Sequence, residues 1–239
     1  MKFFVHVLIA VSFIGVAQPS MALLEENLVL FFDFEGNDKI AVDRSANGND
    51  GAIVGATPVE GILGKGLLCD GEDDTISFPL KGLLPTEGSI LIWVKQLAVN
   101  PDNSSHFFDH YDPNRIYIKA PGGQLLVTLG NGGQVPTDEV IEKDVWYHLG
   151  LTWNKGKYTL YLDGELIQEG VYQGIVAINP TTHLCSHRGT QAFNHMMVDE
   201  LMVYSVAVEQ AIIQQAIKSL AVFPHSKLST TWAKVKAAR

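Results

Sequence analysis

The stretch WYHLGLTWNKGKYTLYLDGELI, residues 146–167, decides the fold class. Residues 146–153 indicate one strand, Asn154-Lys155-Gly156 a turn, and residues 157–162 a second strand. Asp163-Gly164 follows, a dipeptide that is favoured in two-residue hairpin turns, so a third strand is expected to return after it. The stretch therefore predicts an antiparallel meander.

Short apolar runs separated by turn residues continue along the chain, a spacing that is typical of a sandwich or a barrel. The run SILIWVK, residues 89–95, is apolar on both of its faces, which predicts a central strand packed on both sides. Residues 208–220 carry apolar side chains four apart and predict the one helix. We therefore expect an all-β, antiparallel β-sandwich with one short C-terminal helix.

Length and charge limit the function classes. The 239 residues suit one domain of the larger sandwich kind. With 26 acidic and 17 basic residues the formal net charge is −9, and such a chain repels phosphate backbones. Nucleic acid is therefore not expected as a partner.

The N-terminus predicts export. Lys2 precedes the almost wholly apolar residues 3–17, and Ser20-Met21-Ala22 puts small residues where a signal peptidase cuts. The apolar run is short for a membrane span, although a membrane anchor or a core helix is the alternative. We assign residues 1–22 to a signal peptide, 23–223 to the domain and 224–239 to a polar tail. The protein is then secreted or in the cell envelope, with no stable membrane span after cleavage.

The two cysteines, Cys69 and Cys185, leave two alternatives open. In an oxidising compartment they can form one disulfide. Both lie in short apolar runs, however, so they can equally be separate buried thiols that act as small hydrophobic side chains. Sequence does not give the distance between the two Cα atoms, which decides the matter.

A family resemblance runs through nearly the whole chain after residue 22. It is carried by LVLFFDFEGN (28–37), DRSANGNDGAIVG (43–55), GKGLLCDGEDDTISF (64–78) with GSILIWVK (88–95), the hairpin stretch at 146–167, and VDELMVYSVAV (198–208). These stretches, in this order, resemble the laminin-G-like jelly-roll family of the concanavalin A-like lectin/glucanase superfamily, of the exported bacterial type. The resemblance implies an antiparallel jelly-roll β-sandwich.

The resemblance also implies a structural calcium ion where the first loops meet the closing strand. By position the ligands would be Glu35, Asp43 and Asp199, since calcium takes carboxylate and carbonyl oxygens. The alternative is that these carboxylates cap turns. A second acidic candidate, the turn Glu72-Asp73-Asp74, is expected to be solvated rather than metal-bound.

Because glucanases share this fold, an enzymatic function is considered, and it would require catalytic carboxylates in the sequence. Retaining glycosidases need two carboxyl groups about 5 Å apart, which on a strand means a pattern such as E-x-D-x-E. No strand-like stretch has this pattern, so we expect a protein that is not an enzyme and has no catalytic residues. A glycan-active hydrolase or lyase, or a structural envelope protein, remains the alternative.

Binding is therefore the expected function: a secreted, non-catalytic binding or adhesion module for carbohydrate or for a cell-surface or matrix protein. The candidate ligand-binding residues are Tyr111, Asn114 and Arg115, in the long loop after Phe108. An aromatic ring beside hydrogen-bonding groups is what a sugar site needs.

The histidines give a weaker signal. His183, His187 and His195 have the spacing H-x3-H-x7-H, which is not on a helix and has no glutamate between, so the zinc-protease pattern is excluded. His148 falls in the middle of a strand and is predicted to be a hydrogen-bonded core residue.

Overall fold

The computed structural model describes residues 25–36, 38–99, 105–111, 115–174, 178 and 180–222. The predicted signal peptide at 1–22 and tail at 224–239 lie outside these residues, as does Asn114. No helix in the described part of the chain is long and apolar enough to cross a membrane.

The described residues form strands throughout and end in one α-helix, α1 (Gln210–Val222). The strands are β1 (Leu28–Phe32), β2 (Ile40–Ala41), β3 (Gly51–Val54), β4 (Thr57–Glu60), β5 (Lys65–Asp70), β6 (Thr75–Phe78), β7 (Glu87–Gln96), β8 (His106–His110), β9 (Arg115–Lys119), β10 (Gln124–Gly130), β11 (Val135–Val140), β12 (Trp146–Asn154), β13 (Lys157–Leu162), β14 (Glu165–Val171), β15 (Thr182–Leu184) and β16 (His195–Tyr204).

Two antiparallel sheets stack to form the sandwich. The first has the order β14-β13-β12-β7-β16-β5-β4, with β1 also paired to β16. The second has the order β11-β10-β9-β8-β15-β6-β3-β2. Neighbours such as β7 and β16 are far apart in sequence, which is the crossover pattern of a jelly roll. The predicted fold class is therefore confirmed.

The hairpin that decided the fold class folds as predicted. Strands β12 and β13 pair from Leu149 opposite Leu162 to Asn154 opposite Lys157. Both residues of the next turn, Asp163 and Gly164, have positive φ (51° and 81°). Two positive φ angles are what a type I′ turn requires, and this turn matches the twist of the flanking strands.

Strand β7 is buried on both faces, as its sequence predicts. Ile90, Ile92 and Val94 belong to the core between the sheets. Leu91 points the other way and packs in a second cluster with Ile213 of α1. Burying each of these side chains stabilises the fold by about 2 kcal/mol. Helix α1 begins two residues later than the predicted segment at 208–220.

Aromatic rings link the two sheets through the core. Phe32 of the first sheet meets Phe78 of the second edge-on, with ring centroids 5.1 Å apart. Phe78 in turn contacts Phe108 at 6.3 Å. All three rings are fully buried, and edge-to-face pairs add stability beyond the area they bury.

A disulfide joins Cys69, in β5 of the first sheet, to Cys185, directly after β15 of the second. Both residues are buried in the core, and their sequence separation is 116. Of the two alternatives that the sequence left open, the structure shows the bridged one.

His148 is a core residue, as predicted, whereas the hydrogen bond predicted for its side chain is not formed at Nδ1 in the described part of the chain. Its ring meets Trp93 edge-on at 5.2 Å, and Nδ1 has no hydrogen-bond partner among the described residues. The backbone N–H of His148, rather than Nδ1, donates a hydrogen bond, to Asp163 Oδ1 at 2.8 Å. Burial lowers the pKa of His148 to about 3, so the ring is neutral in the folded protein.

We expect acid to destabilise the fold through His148. Below pH 6.5 the unfolded chain takes up a proton on this histidine, whereas the folded chain does not until about pH 3. Because the unfolded state binds more protons, the free energy of unfolding falls by up to about 1.4 kcal/mol per pH unit as the pH drops from 6.5. Urea unfolding between pH 7 and pH 5 measures this slope. His148→Leu should reduce this slope by up to about 1.4 kcal/mol per pH unit, which corresponds to one proton. A slope equal to that of the wild type would contradict the lowered pKa of His148.

Candidate functional site

A pocket of about 320 Å³ lies on the face of the second sheet that is turned away from the core. Strand β9 forms one wall. Ile116 and Ile118 are buried in the core, so the alternation of the strand turns Arg115, Tyr117 and Lys119 to the opposite face, where they line the pocket.

The loop between β15 and β16 forms the opposite wall, and its backbone is strained. Cys185, Arg188 and Ala192 have φ angles of 65°, 58° and 52°, a region that residues other than glycine rarely adopt. The Cys69–Cys185 bond anchors the loop, and the Asn194 N–H donates to the Cys185 carbonyl at 2.6 Å. Strain of this kind persists where the surroundings impose it, and it is frequent at binding sites.

Aromatic rings and cations alternate across the pocket. The rings of Tyr111 and Tyr117 are stacked, 6.2 Å apart and 10° from parallel. The Arg188 guanidinium lies 3.2 Å from the Tyr111 ring centroid, and that of Arg115 lies 5.7 Å from it. Lys119 Nζ is 6.0 Å from the centroid of Tyr117. Cation–π attraction therefore holds the positive groups in place.

A buried carboxylate and two histidines lie beside these groups. His187 Nδ1 forms a short hydrogen bond of 2.5 Å with Asp109 Oδ2, and His106 Nε2 is 3.8 Å from the same oxygen. Burial, together with the charges of Lys119 and His187, lowers the pKa of His106 to about 3. The ligand atoms of the three residues lie within 4.8 Å of one another, so the group could bind a metal ion or act as a hydrogen-bonding network.

Two of the three residues predicted to bind a ligand, Tyr111 and Arg115, line this pocket. Sequence reasoning missed Lys119 and Arg188. The alternation Arg115-Ile116-Tyr117-Ile118-Lys119 was a usable signal for the first, because it separates a polar face from an apolar one. The position of Arg188 depends on the path of its loop, for which the sequence carries no local signal.

The three predicted calcium ligands are each used in turn capping. Asp43 accepts the backbone N–H groups of Phe31, Ser45 and Asn49, so both of its oxygens are bonded within or next to its own loop. Glu35 Oε1 accepts from the Lys65 N–H at 2.8 Å. Asp199 Oδ2 accepts from the Leu63 N–H at 3.1 Å. The structure does not bring the three together as one group of ligand atoms.

Glu35 and Asp199 nevertheless belong to an acidic cluster with Asp33 and Glu200. Burial, and then the charge of Glu35, raises the pKa of Asp199 well above its usual value. Burial, and then the charges of Asp199, Asp33 and Glu35, raises the pKa of Glu200. A cation would relieve both the repulsion and the desolvation. Glu35, Asp199 and Glu200 are therefore candidates to hold a cation on grounds of charge and burial, although their ligand atoms, like those of the set with Asp43, do not form one compact group among the described residues.

The acidic turn after β5 groups differently from its prediction. Ligand atoms of Asp70, Asp73 and Asp74 lie within 4.8 Å of one another, so Asp70 takes the place expected for Glu72. Asp74 Oδ2 accepts the Asp70 N–H at 2.7 Å, and Asp70 and Asp73 are exposed. These contacts are those of a solvated, self-capped turn.

Comparison with known families places this fold. A family model described as the concanavalin A-like lectin/glucanases superfamily, of laminin-G type, matches residues 70–214, more than half of the chain. The chain belongs to this superfamily. A comparison with curated protein sequences gave no match.

Solved structures of the same fold come from binding domains and from enzymes. The binding domain of Paraclostridial Mosquitocidal Protein 1 is 19% identical, with a TM-score of 0.70 over 82% of this chain and 53% of that one. Domain 4 of AbnA, an extracellular arabinanase from Geobacillus stearothermophilus solved with arabinotriose, is 21% identical, with a TM-score of 0.66 over 79% and 97%. Trypanosoma rangeli sialidase is 16% identical, with a TM-score of 0.67 over 82% and 33%. This superfamily member thus spans about half of the first of these chains and a third of the last.

Reduction of the Cys69–Cys185 bond should destabilise the domain. A bond that closes so long a segment restricts the unfolded chain, and its loss costs about 4 kcal/mol. Urea unfolding with and without reductant measures the difference. The double variant Cys69→Ala/Cys185→Ala is the control, since reductant should leave its midpoint unchanged. An unchanged midpoint for the reduced wild type would contradict the expectation.

Proposed function

We propose that this superfamily member is a non-catalytic carbohydrate-binding module that acts outside the cytoplasm and binds its ligand in the pocket between β9 and the loop after β15. The observation that carries the proposal is the built pocket itself. Its stacked tyrosines and its cations lie on a sheet and on a loop that a disulfide anchors.

The chemistry of the pocket suits a sugar. Small-ligand sites combine aromatic walls with a few placed polar groups, and a volume of about 320 Å³ is at the small end of their range. Tyr111 and Tyr117 supply the aromatic wall, and Gln134 and Gln191 supply amide donors and acceptors. Side chains that are held in place by their neighbours lose little conformational entropy on binding, so a small contact area can still give appreciable affinity.

A binding role is favoured over glycan hydrolysis by the same residues. Glycoside hydrolysis uses two carboxyl groups that flank the scissile bond. The described lining of the pocket holds no carboxylate but aromatic, amide, cationic, histidine and alanine side chains, and the nearby Asp109 is fully buried and bonded to His187. The arabinanase domain was solved with arabinotriose, and the cell entry of botulinum neurotoxin type C, a structure with the same fold, is described as dependent on interaction with ganglioside molecules. Both observations favour a glycan over a protein as the ligand. They also favour a binding role over a structural role in the envelope.

Export is part of the proposal. A buried disulfide is stable in oxidising compartments and rare in the cytosol, and the N-terminal sequence has the features of a signal peptide. We therefore take residues 1–22 as the signal peptide, 23–223 as the working domain and 224–239 as its tail. The expected location is extracellular or in the cell envelope.

A glycan array probed with the purified protein tests the function. Binding should appear and should fall at least tenfold in Tyr111→Ala, because the variant loses a ring of the pocket wall. Tyr147→Ala makes the same change in the other sheet and should bind as the wild type does. The proposal is overturned if nothing binds, if Tyr111→Ala binds normally, or if polysaccharides release reducing ends.

We further propose that Glu35, Asp199 and Glu200 hold a structural calcium ion. Burial, and then repulsion between neighbouring carboxylates, raises the pKa of Asp199 and Glu200, and the charge of the ion would offset both effects. The melting temperature should then fall with chelator and recover with calcium. Glu200→Gln should shrink this shift, whereas Asp73→Asn, in the exposed acidic turn, should preserve it. A melting curve that chelator does not move would remove the calcium ion from the proposal.

A further inference from the structure

The pocket is lined by positively charged side chains, although the net charge of the whole chain is negative. The chain carries a formal charge of −9, yet Arg115, Lys119 and Arg188 line one small pocket. The remaining described lining residues are aromatic, amide, histidine or alanine side chains. Bringing three cations together in a chain with more acidic than basic residues costs electrostatic free energy, which a ligand of opposite charge would recover.

The two arginines are presented in a way that suits an anion. Within the described residues, neither Arg115 nor Arg188 has a carboxylate within 4.0 Å, whereas Arg44 is paired with Asp33 at 2.9 Å. Both guanidinium groups lie over the Tyr111 ring, which holds them without neutralising them. A guanidinium stacked on a ring still presents its N–H edge, and that edge matches the two oxygens of a carboxylate.

Lys119 adds to the same field from the pocket wall. Only 1% of its surface is exposed, and burial lowers its pKa, while the charge of Asp109 raises it. A second anion in the pocket would act on Lys119 in the same direction as Asp109 does. The lysine and the two arginines thus favour the same ligand charge.

These cations argue against the other use of the cluster, a metal site on His106, Asp109 and His187. Burial, and then the charge of Lys119, disfavours a proton on His106, and repulsion from Lys119 would also oppose a divalent cation bound there. Among the described residues of the pocket, one carboxylate, already bonded to His187, faces three cationic side chains. The local field is therefore that of an anion site.

We propose that the ligand of this pocket is a carboxylated sugar, whose carboxylate is bound by Arg115 and Arg188 and whose ring lies among the tyrosines and glutamines. This inference rests on the proposed function and names its ligand class. The carboxylate of an acidic glycan and a free small carboxylate share the chemistry that the arginines recognise, so the test separates them.

Calorimetric titration of the full chain with paired probes provides that test. Oligogalacturonate, hyaluronan oligosaccharide and 3′-sialyllactose are each compared with their carboxyl-reduced, neutral counterparts, and sodium acetate is titrated alone. At least one acidic member should bind ten times or more tightly than its neutral counterpart, with an affinity that falls as salt rises. Equal affinity for a neutral counterpart overturns the inference but leaves carbohydrate binding standing. Acetate alone binding, or no probe binding, overturns the carboxylated sugar.

Variants locate the contact. Arg188→Met and Arg115→Met should each weaken the acidic probe about tenfold or more and leave the neutral counterpart unchanged. Arg115→Lys, which keeps the charge but loses the two-pronged edge, should be intermediate. Lys157→Met removes the same charge from an exposed site on the other sheet and should change neither affinity. Equal losses in Lys157→Met and Arg188→Met would mean that only net charge matters and would overturn the assignment.

Discussion

The close contact between the two sheets is the constraint on which the rest of the structure depends. Phe32, Phe78 and Phe108 bridge the interior through ring contacts, and the Cys69–Cys185 bond fastens the same interface covalently. Because interiors are close-packed, this contact determines which face of each strand is turned inward. The outward faces, and the loops that cover them, are then determined as well.

The pocket is a consequence of that constraint. Burying Ile116 and Ile118 forces Arg115, Tyr117 and Lys119 to the other side of β9. Tyr117 and Lys119 are nevertheless almost wholly buried, because the opposite wall of the pocket, the loop between β15 and β16, covers this face of the strand. The disulfide begins that wall at Cys185, so the covalent link that stabilises the core also positions the loop that bears Arg188 and Ala192. The core and the wall of the pocket therefore share one covalent connection.

The sequence predicted what local chemistry decides. The β12–β13 hairpin, the doubly buried β7 and helix α1 all follow from periodicity and turn residues within short windows. The pairing of Cys69 with Cys185 needed a distance across the core, which no window contains. Glu200 was missed as a partner of Asp199 because neighbours on a regular strand point to opposite faces. Here Glu200 has a φ of 49°, and the β16–β7 register shifts beside it, so both carboxylates are buried.

Two ionic centres of opposite sign follow from this placement. At one, Asp33, Glu35, Asp199 and Glu200 lie close together, and the Arg44 guanidinium is paired with Asp33. At the other, three cations lie around Asp109, which is bonded to His187. A protein interior tolerates like charges only when something of opposite sign offsets their repulsion and their loss of hydration. Within the described residues, each centre has an excess of charge of one sign, and repulsion at both centres lowers the free energy of unfolding. A ligand of opposite charge would offset this repulsion, and the free energy recovered would contribute to its binding affinity. The proposed cation at the closing strand and the proposed anionic sugar at the pocket would each act in this way.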